Sequence, residues 1–359
     1  MTERDAASYI WTATAILSLS SLVIFAALIG LRFLYDKRRD ETQKRKEEMK
    51  EALLAHLHRP LKNVKTALVR CQSDMDALAD MAIPLLHELK GKTCERLKET
   101  LRGVGAYDRQ CEHLRSLQPF LQIRAARFVA HWPDDAPKKA LCEMTTDLHP
   151  HVRHAALEAL ARLQDAEYFV PFIEEMRDDA SCSPLFVGDM LCLFGPFAVS
   201  SCAGILADRS MPPRMKIGAL AALAQKGAPE DAVLAARPLC GDADREVRAA
   251  AFKALRVAGR LLDAAALEVG AKDSYWRVRQ YVAECAAHVR PFPLGVLTTL
   301  TGDANWMVGL AAGRALCEYG AVGKERLRSI ANKNPLVAHR AHAILAECDV
   351  FGGRRHGVG

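Results

Sequence analysis

Aromatic residues are scarce in this chain: Phe, Trp and Tyr make up 6% of 359 residues although 50% of the sequence is hydrophobic, so the apolar content is carried mainly by Ala and Leu. Both are strong helix formers, and strand-like alternation of Val, Ile and Thr is missing. The class this predicts is all-α. Charge of one sign is also lacking over most of the chain. The net charge is only +6, with no basic stripe across the body of the sequence, so nucleic acid is not an expected partner. The 11 cysteines form no C-x-x-C pair and keep no metal-ligand rhythm; in a reducing compartment they read as small core residues. Neither a nucleophile elbow nor a phosphate-binding glycine loop occurs. No catalytic residue, cofactor or metal is therefore expected. His149, His151 and His154, with Cys142 nearby, are ligand types in one place, but on a solvated first helical turn they read more plainly as surface histidines.

What is present begins with an uncharged run of 26 residues from Ala6 to Leu31. At about 1.5 Å per residue it is long enough to cross a hydrocarbon layer of ~30 Å. Tyr9 and Trp11 stand near one end, Phe33 and Tyr35 near the other, as interfacial aromatics do. A cleaved signal peptide is the alternative; Glu3, Arg4 and Asp5 in place of a basic cluster speak against it, as does the length of the run. From Asp36 to Arg70, Lys and Arg outnumber Asp and Glu by 11 to 6, which is +5 of the total +6. The positive-inside rule makes this flank cytoplasmic and the N-terminus external, and the basic residues suit anionic lipid headgroups. Ala26 and Gly30 form a small-xxx-small pair within the span. The expected organisation is a transmembrane anchor over 1–35, a basic juxtamembrane helical stalk over 36–116, a repeat region over 117–349 and a flexible tail over 350–359.

Beyond the stalk the sequence repeats. Four segments align without gaps, beginning at Asp147, Asp242, Asp273 and Asp303, each with a Val five residues on: Val152, Val247, Val278 and Val308. The register extends to Ile123, Leu185, Met215 and Val337, with steps of about 30 residues. Small residues three, four and seven places after the anchor and Leu at eight, as in Ala250, Ala251, Ala254 and Leu255, make one helix face that lets a neighbour approach closely. The Asp is placed to cap a helix N-terminus. Arg or Lys after the anchor, at Arg124, Arg153, Lys216, Arg248 and Arg279, is placed to pair with the Asp of an adjacent unit, a structural ladder. Arg127, His131 and Arg340 put polar groups at core offsets of the terminal units, as end caps would, and Gly309 and Ala338 break the ladder near the C-terminal end.

This pattern, D-x-x-x-x-V-R-x-x-A-x-x-A-L at Asp242 to Leu255, resembles the HEAT repeat, particularly its short bacterial, bilin-lyase-like type, over eight units from Gln118 to Asp349. The resemblance implies a right-handed α-solenoid of armadillo type whose curved surface binds proteins. Some HEAT-like proteins are iron enzymes with paired His-Glu dipeptides; only His87-Glu88 occurs here, outside the array. Others act in bilin attachment.

Two places depart from the repeat. Ser183 to Ala207 carries one charge, Asp189. Gly195-Pro196 argues against a second span, and the phase of the array makes the segment one repeat, with Phe186 in place of the ladder Arg and Phe194 and Phe197 about the turn. Its missing polar face is covered either by neighbouring structure or by a partner. Trp276 and Trp306 stand at equivalent positions of adjacent units, with Tyr275 beside the first, and aromatics are favoured binding anchors. The expectation is a non-enzymatic, membrane-anchored scaffold at a bacterial inner membrane, an accessory subunit for a protein partner that is itself a membrane enzyme, such as a glycosyltransferase. The alternative is a lyase-type enzyme acting on a small ligand.

Overall fold

The computed structural model describes residues 3–59, 64–164, 166–226, 230–258, 264–289 and 293–352, without the side chains of 3–18, 34–36, 38–40, 42, 336 and 349–352. The described residues are all-α. They divide into two compact units, Met1–Val129 and Ala130–Gly359, so the division falls inside the first repeat expected from the sequence. The expected tail lies almost wholly outside the described residues.

The first unit begins with one continuous helix, α1 (Glu3–His58). Met49, Leu53 and Leu57 follow at intervals of four, which places them on one face, and all three are buried against α2 (Val64–Leu68), α3 (Gln72–Glu88) and α4 (Lys92–Gly103). The stretch read as a stalk thus folds into a bundle from Met49 onward. Arg45 donates to the carbonyls of Ala67 and Leu68 and to Asp74, satisfying carbonyls at the end of α2. Helices α5 (Ala106–His113) and α6 (Pro119–Val129) complete the unit. Arg124 of α6 was expected in the ladder. It bonds Asp76 of α3 instead at 2.8 Å, beside Arg109 at 2.9 Å, because a buried guanidinium takes the carboxylate within reach. Arg127 is exposed rather than at a core position.

Among the described residues no helix is long and apolar enough to cross a membrane. The side chains of the expected span up to Ser18 lie outside that set. From Leu19 to Phe33 the described apolar side chains of α1 are exposed on every side, from 54% at Ile29 to 69% at Phe33.

The second unit is a helical-repeat array. Its helices are α7 (Asp135–Met144), α8 (Pro150–Leu163), α9 (Phe169–Asp178), α10 (Pro184–Phe194), α11 (Pro196–Ala207), α12 (Pro213–Lys226), α13 (Glu230–Ala236), α14 (Arg245–Ala258), α15 (Ala264–Gly270), α16 (Trp276–Ala286), α17 (Leu294–Thr301), α18 (Trp306–Glu318), α19 (Gly320–Lys333) and α20 (Pro335–Gly352). The even-numbered helices pack side by side in chain order from α8 to α20, and most odd-numbered ones pack against the even helix that follows. One core cluster runs through the stack from Leu157 to Leu345. The anchors Val152, Met215, Val247, Val278, Val308 and Val337 are buried. Small residues let the row close up: a Cβ on Gly218 of α12 would press into Val187 of α10.

At α10 the register slips. Leu185 is 66% exposed and Val187, two residues on, is fully buried; Asp189, four places after the expected anchor and so at a core offset of the repeat, is exposed. Val187 takes the core place because Gly218 of α12 leaves room for its side chain. Asp147, Asp242, Asp273 and Asp303 stand three residues before their helices, whereas Asp179 and Asp208 stand five before α10 and α12. The charge-poor stretch forms two helices, α10 and α11, joined at Gly195, whose φ of 102° suits glycine.

Candidate partner-binding face

The ladder residues lie at the N-terminal ends of the even helices. Arg248 of α14 donates through Nε and Nη2 to both carboxylate oxygens of Asp273, at 2.7 and 3.0 Å, and through Nη1 to the carbonyls of Asp242 and Ala243 at 3.0 and 3.1 Å. Arg279 repeats this with Asp303, again at 2.7 and 3.0 Å, and with the carbonyls of Asp273 and Ser274. Arg153 repeats it with Asp179, at 2.6 and 3.0 Å. Lys216 makes a longer contact with Asp242, 3.5 Å. Asp179 was missed because its longer loop breaks the five-residue spacing; the signal was its own Asp-x-Ser, repeated at Asp208.

The aspartates are not helix caps. Each carboxylate accepts the N–H of the residue two places on, as with Asp147 and His149, Asp242 and Asp244, or Asp273 and Tyr275, which closes the loop ahead of the helix. Desolvation opposes ionisation of Asp273 and Asp303, and their arginine and backbone hydrogen bonds outweigh it, holding both carboxyls below the usual range. At Asp179 the bonds from Arg153 are the largest cause of a strong lowering. Among the described residues no ladder arginine faces Asp208, whose carboxylate accepts the N–H and hydroxyl of Ser210. The break therefore sits beside α10.

At the far end Arg340 reaches back to donate to the carbonyls of Thr301 and Asp303, and it is 8% exposed. It replaces in space the arginine missing at Gly309, so it belongs to the ladder rather than to an end cap.

The aromatic candidates separate. Phe194 is 2% exposed and packs edge-on against Phe169 at 5.1 Å and against Phe172 at 5.3 Å. It is a core residue, because the rings of α9 cover it, and cannot touch a partner. Phe186 stacks on His154 at 4.6 Å. Phe197 meets Phe169 at 5.3 Å but remains 54% exposed. The outward side of α11 carries Phe197, Ser200 and Gly204 and no charge, so neighbouring structure covers only part of the stretch.

Trp276 and Trp306 have different neighbours. The Arg340 guanidinium lies 4.8 Å over the Trp306 ring. Trp276 belongs to a denser group: Arg277 lies over it at 5.5 Å, Tyr275 stands beside it at 6.4 Å, and Arg245 lies over Tyr275 at 5.1 Å. The Tyr275 hydroxyl donates to Glu246 at 2.7 Å; desolvation, with that carboxylate, pushes the phenol pKa up. Nothing in the repeat pattern singles out Arg245, Glu246 or Arg277, although alternating Arg beside the aromatics is visible along the chain.

Two clefts open on the same row. One, of about 150 Å³, crosses α12, α14 and α16. The other, of about 270 Å³, crosses α14, α16 and α18 beside Met307 and Leu310.

His154, Asp179 and Cys182 bring ligand-type atoms within 4.8 Å of one another, a different set from the histidines considered above. The donors do not fit a cation. Asp179 already accepts bonds from Arg153 and Ser181, and burial first of all pushes the Cys182 thiol up to about 12.

The sequence matches no known protein family and no curated protein. Among solved structures the chain is similar to human deoxyhypusine hydroxylase in complex with glycerol, with 21% identity over 69% of this chain and 96% of that one and a TM-score of 0.31. It is similar to Kap121p, with 14% identity over 79% of this chain and 36% of that one and a TM-score of 0.45. A computationally designed armadillo repeat protein for modular peptide recognition gives 19% identity, 74% and 98% coverage and a TM-score of 0.22. At such TM-scores none of the three decides anything about this chain. The helical-repeat assignment rests on the packed helix row and its repeated rungs.

Proposed function

We propose that this chain is a HEAT-type scaffold, not an enzyme, anchored by residues 6–31 in the inner membrane with its array in the cytoplasm, where it holds a protein partner resident at the same membrane. The observation that carries the binding role is the group Arg245, Tyr275, Trp276 and Arg277 on the rim of α14 and α16. Arg, Tyr and Trp are the residue types that dominate protein interfaces. The membrane role is supported by the apolar side chains of α1 that stand exposed on all sides from Leu19 to Phe33, which water would not tolerate uncovered. The basic residues that follow favour the cytoplasmic side, and a membrane enzyme is the partner that such tethering serves best.

The test is affinity purification of the tagged full-length protein from native membranes in mild detergent, beside Arg245→Ala/Trp276→Ala. A stoichiometric protein that accompanies the parent and is depleted severalfold with the variant is the expected result. Equal recovery with both rejects the rim as the binding site, and a protein that purifies alone rejects the scaffold. An alkaline wash tests the anchor: the parent stays with the membranes, and release into the supernatant rejects it.

A further inference from the structure

The cleft across α12, α14 and α16 has an apolar floor of Ile217, Leu220, Ala221, Ala249 and Ala250, with Tyr281 at its side. It is open because alanines stand where the helices face outward: Ala221 and Ala250 are only half-buried. Its volume of about 150 Å³ leaves room for one branched aliphatic side chain. Lys253 and Arg277 line the same cleft and are exposed. The acid of this rim, Glu246, is already engaged: it accepts the Tyr275 hydroxyl, with Arg277 at 3.6 Å and Arg245 at 3.9 Å. Arg245 and Arg277 thus share one carboxylate, and among the described residues Lys253 has no acidic partner. An apolar slot beside cations that outnumber the carboxylates is complementary to an apolar side chain flanked by carboxylates.

We infer that this cleft docks an acidic, extended segment of the partner protein, with a leucine-type side chain seated over Ala221 and Ala250 and neighbouring Asp or Glu carboxylates on Lys253 and Arg277. The inference rests on the protein-binding role above and specifies its chemistry. A phosphodiester chain would use the cations but leave the apolar floor empty.

The probe is a fluorescein-labelled synthetic peptide with one leucine between pairs of glutamates, titrated by anisotropy against the full-length protein in detergent. Saturable binding is expected, weaker by about tenfold with leucine changed to alanine, a step worth ~1.4 kcal/mol. Lys253→Glu and Arg277→Glu each lower affinity by a similar factor. Ala250→Trp fills the slot and removes the preference for leucine over alanine, while circular dichroism shows the helical fold retained; if that variant fails to fold, Ala221→Leu serves the same purpose. The inference is overturned if the peptide does not bind, if a lysine-for-glutamate peptide binds as well, or if a thymidine oligonucleotide of equal charge binds as tightly. It is equally overturned if leucine preference survives a folded slot-filling variant. Loss of the cleft with partner co-purification intact rejects this inference alone; absence of any co-purifying protein rejects the scaffold itself.

Discussion

The guanidinium of Arg340 occupies the space that a side chain at Gly309 would need. It lies over Trp306 at 4.8 Å and bonds the carbonyls of Thr301 and Asp303, so the last repeat supplies the cation that its neighbour lacks. Gly309→Ala is expected to destabilise the parent by ~1–3 kcal/mol through overpacking. In an Arg340→Ala background the clash with the guanidinium is gone and only the Thr301 carbonyl oxygen, 3.0 Å from the added Cβ, stays close, so the same change costs clearly less than in the parent, the remainder being offset in part by up to ~1 kcal/mol of helix propensity. Urea unfolding of the four proteins checks this; equal effects of Gly309→Ala in both backgrounds would show that the guanidinium does not hold that space.

The Arg248 and Asp273 side chains are 16% and 11% exposed, so removing one leaves the other buried without its counter-charge. Arg248→Met or Asp273→Ala should each cost ~3 kcal/mol, and the double variant clearly less than the sum. A double-mutant cycle by chemical denaturation measures the coupling, and additive losses would deny the pair.

The carboxyls of Asp179, Asp273 and Asp303 are depressed in the folded state. A depressed acid contributes stability that is present above its unfolded pKa of ~3.9 and is lost as pH falls toward the folded value. Stability should therefore decline below about pH 4, with a shallower slope in Asp273→Asn than in the parent. Urea midpoints measured across that range decide it, and parallel slopes would remove Asp273 from the acid transition.

Phe194 and Phe197 stand three residues apart and should behave oppositely. Phe194→Ala opens the ring cluster with Phe169 and Phe172 and should cost ~3–5 kcal/mol, whereas Phe197→Ala, at a ring 54% exposed, should cost under ~1 kcal/mol. Thermal melts separate them; similar losses would mean that Phe197 is as firmly packed as its neighbour.

Much of the array was legible because its signals are local. Helical periodicity, the step of about 30 residues and the Arg-to-Asp logic of Arg248 with Asp273 and Arg279 with Asp303 can all be read along the chain. The reading failed where a fixed spacing stood in for geometry. Two extra loop residues hid Asp179, Gly218 admitted Val187 rather than Leu185 to the core, and charge-poor composition made Phe194 look like surface when α9 covers it. The metal-type group near His154 was invisible because its members come from helix α8 and from the loop ahead of α10.

By itself the sequence determined that the chain is helical, that the second unit repeats, and which residue types carry the rungs, since each follows from chemistry within a turn or a repeat. The tertiary structure alone decided which aromatic rings are buried, how Arg340 fills the gap at Gly309, and that alanines on α12 and α14 leave a slot beneath Lys253 and Arg277. Those outcomes depend on side chains about 30 residues apart being brought into one place, and no pattern within a single repeat contains that information.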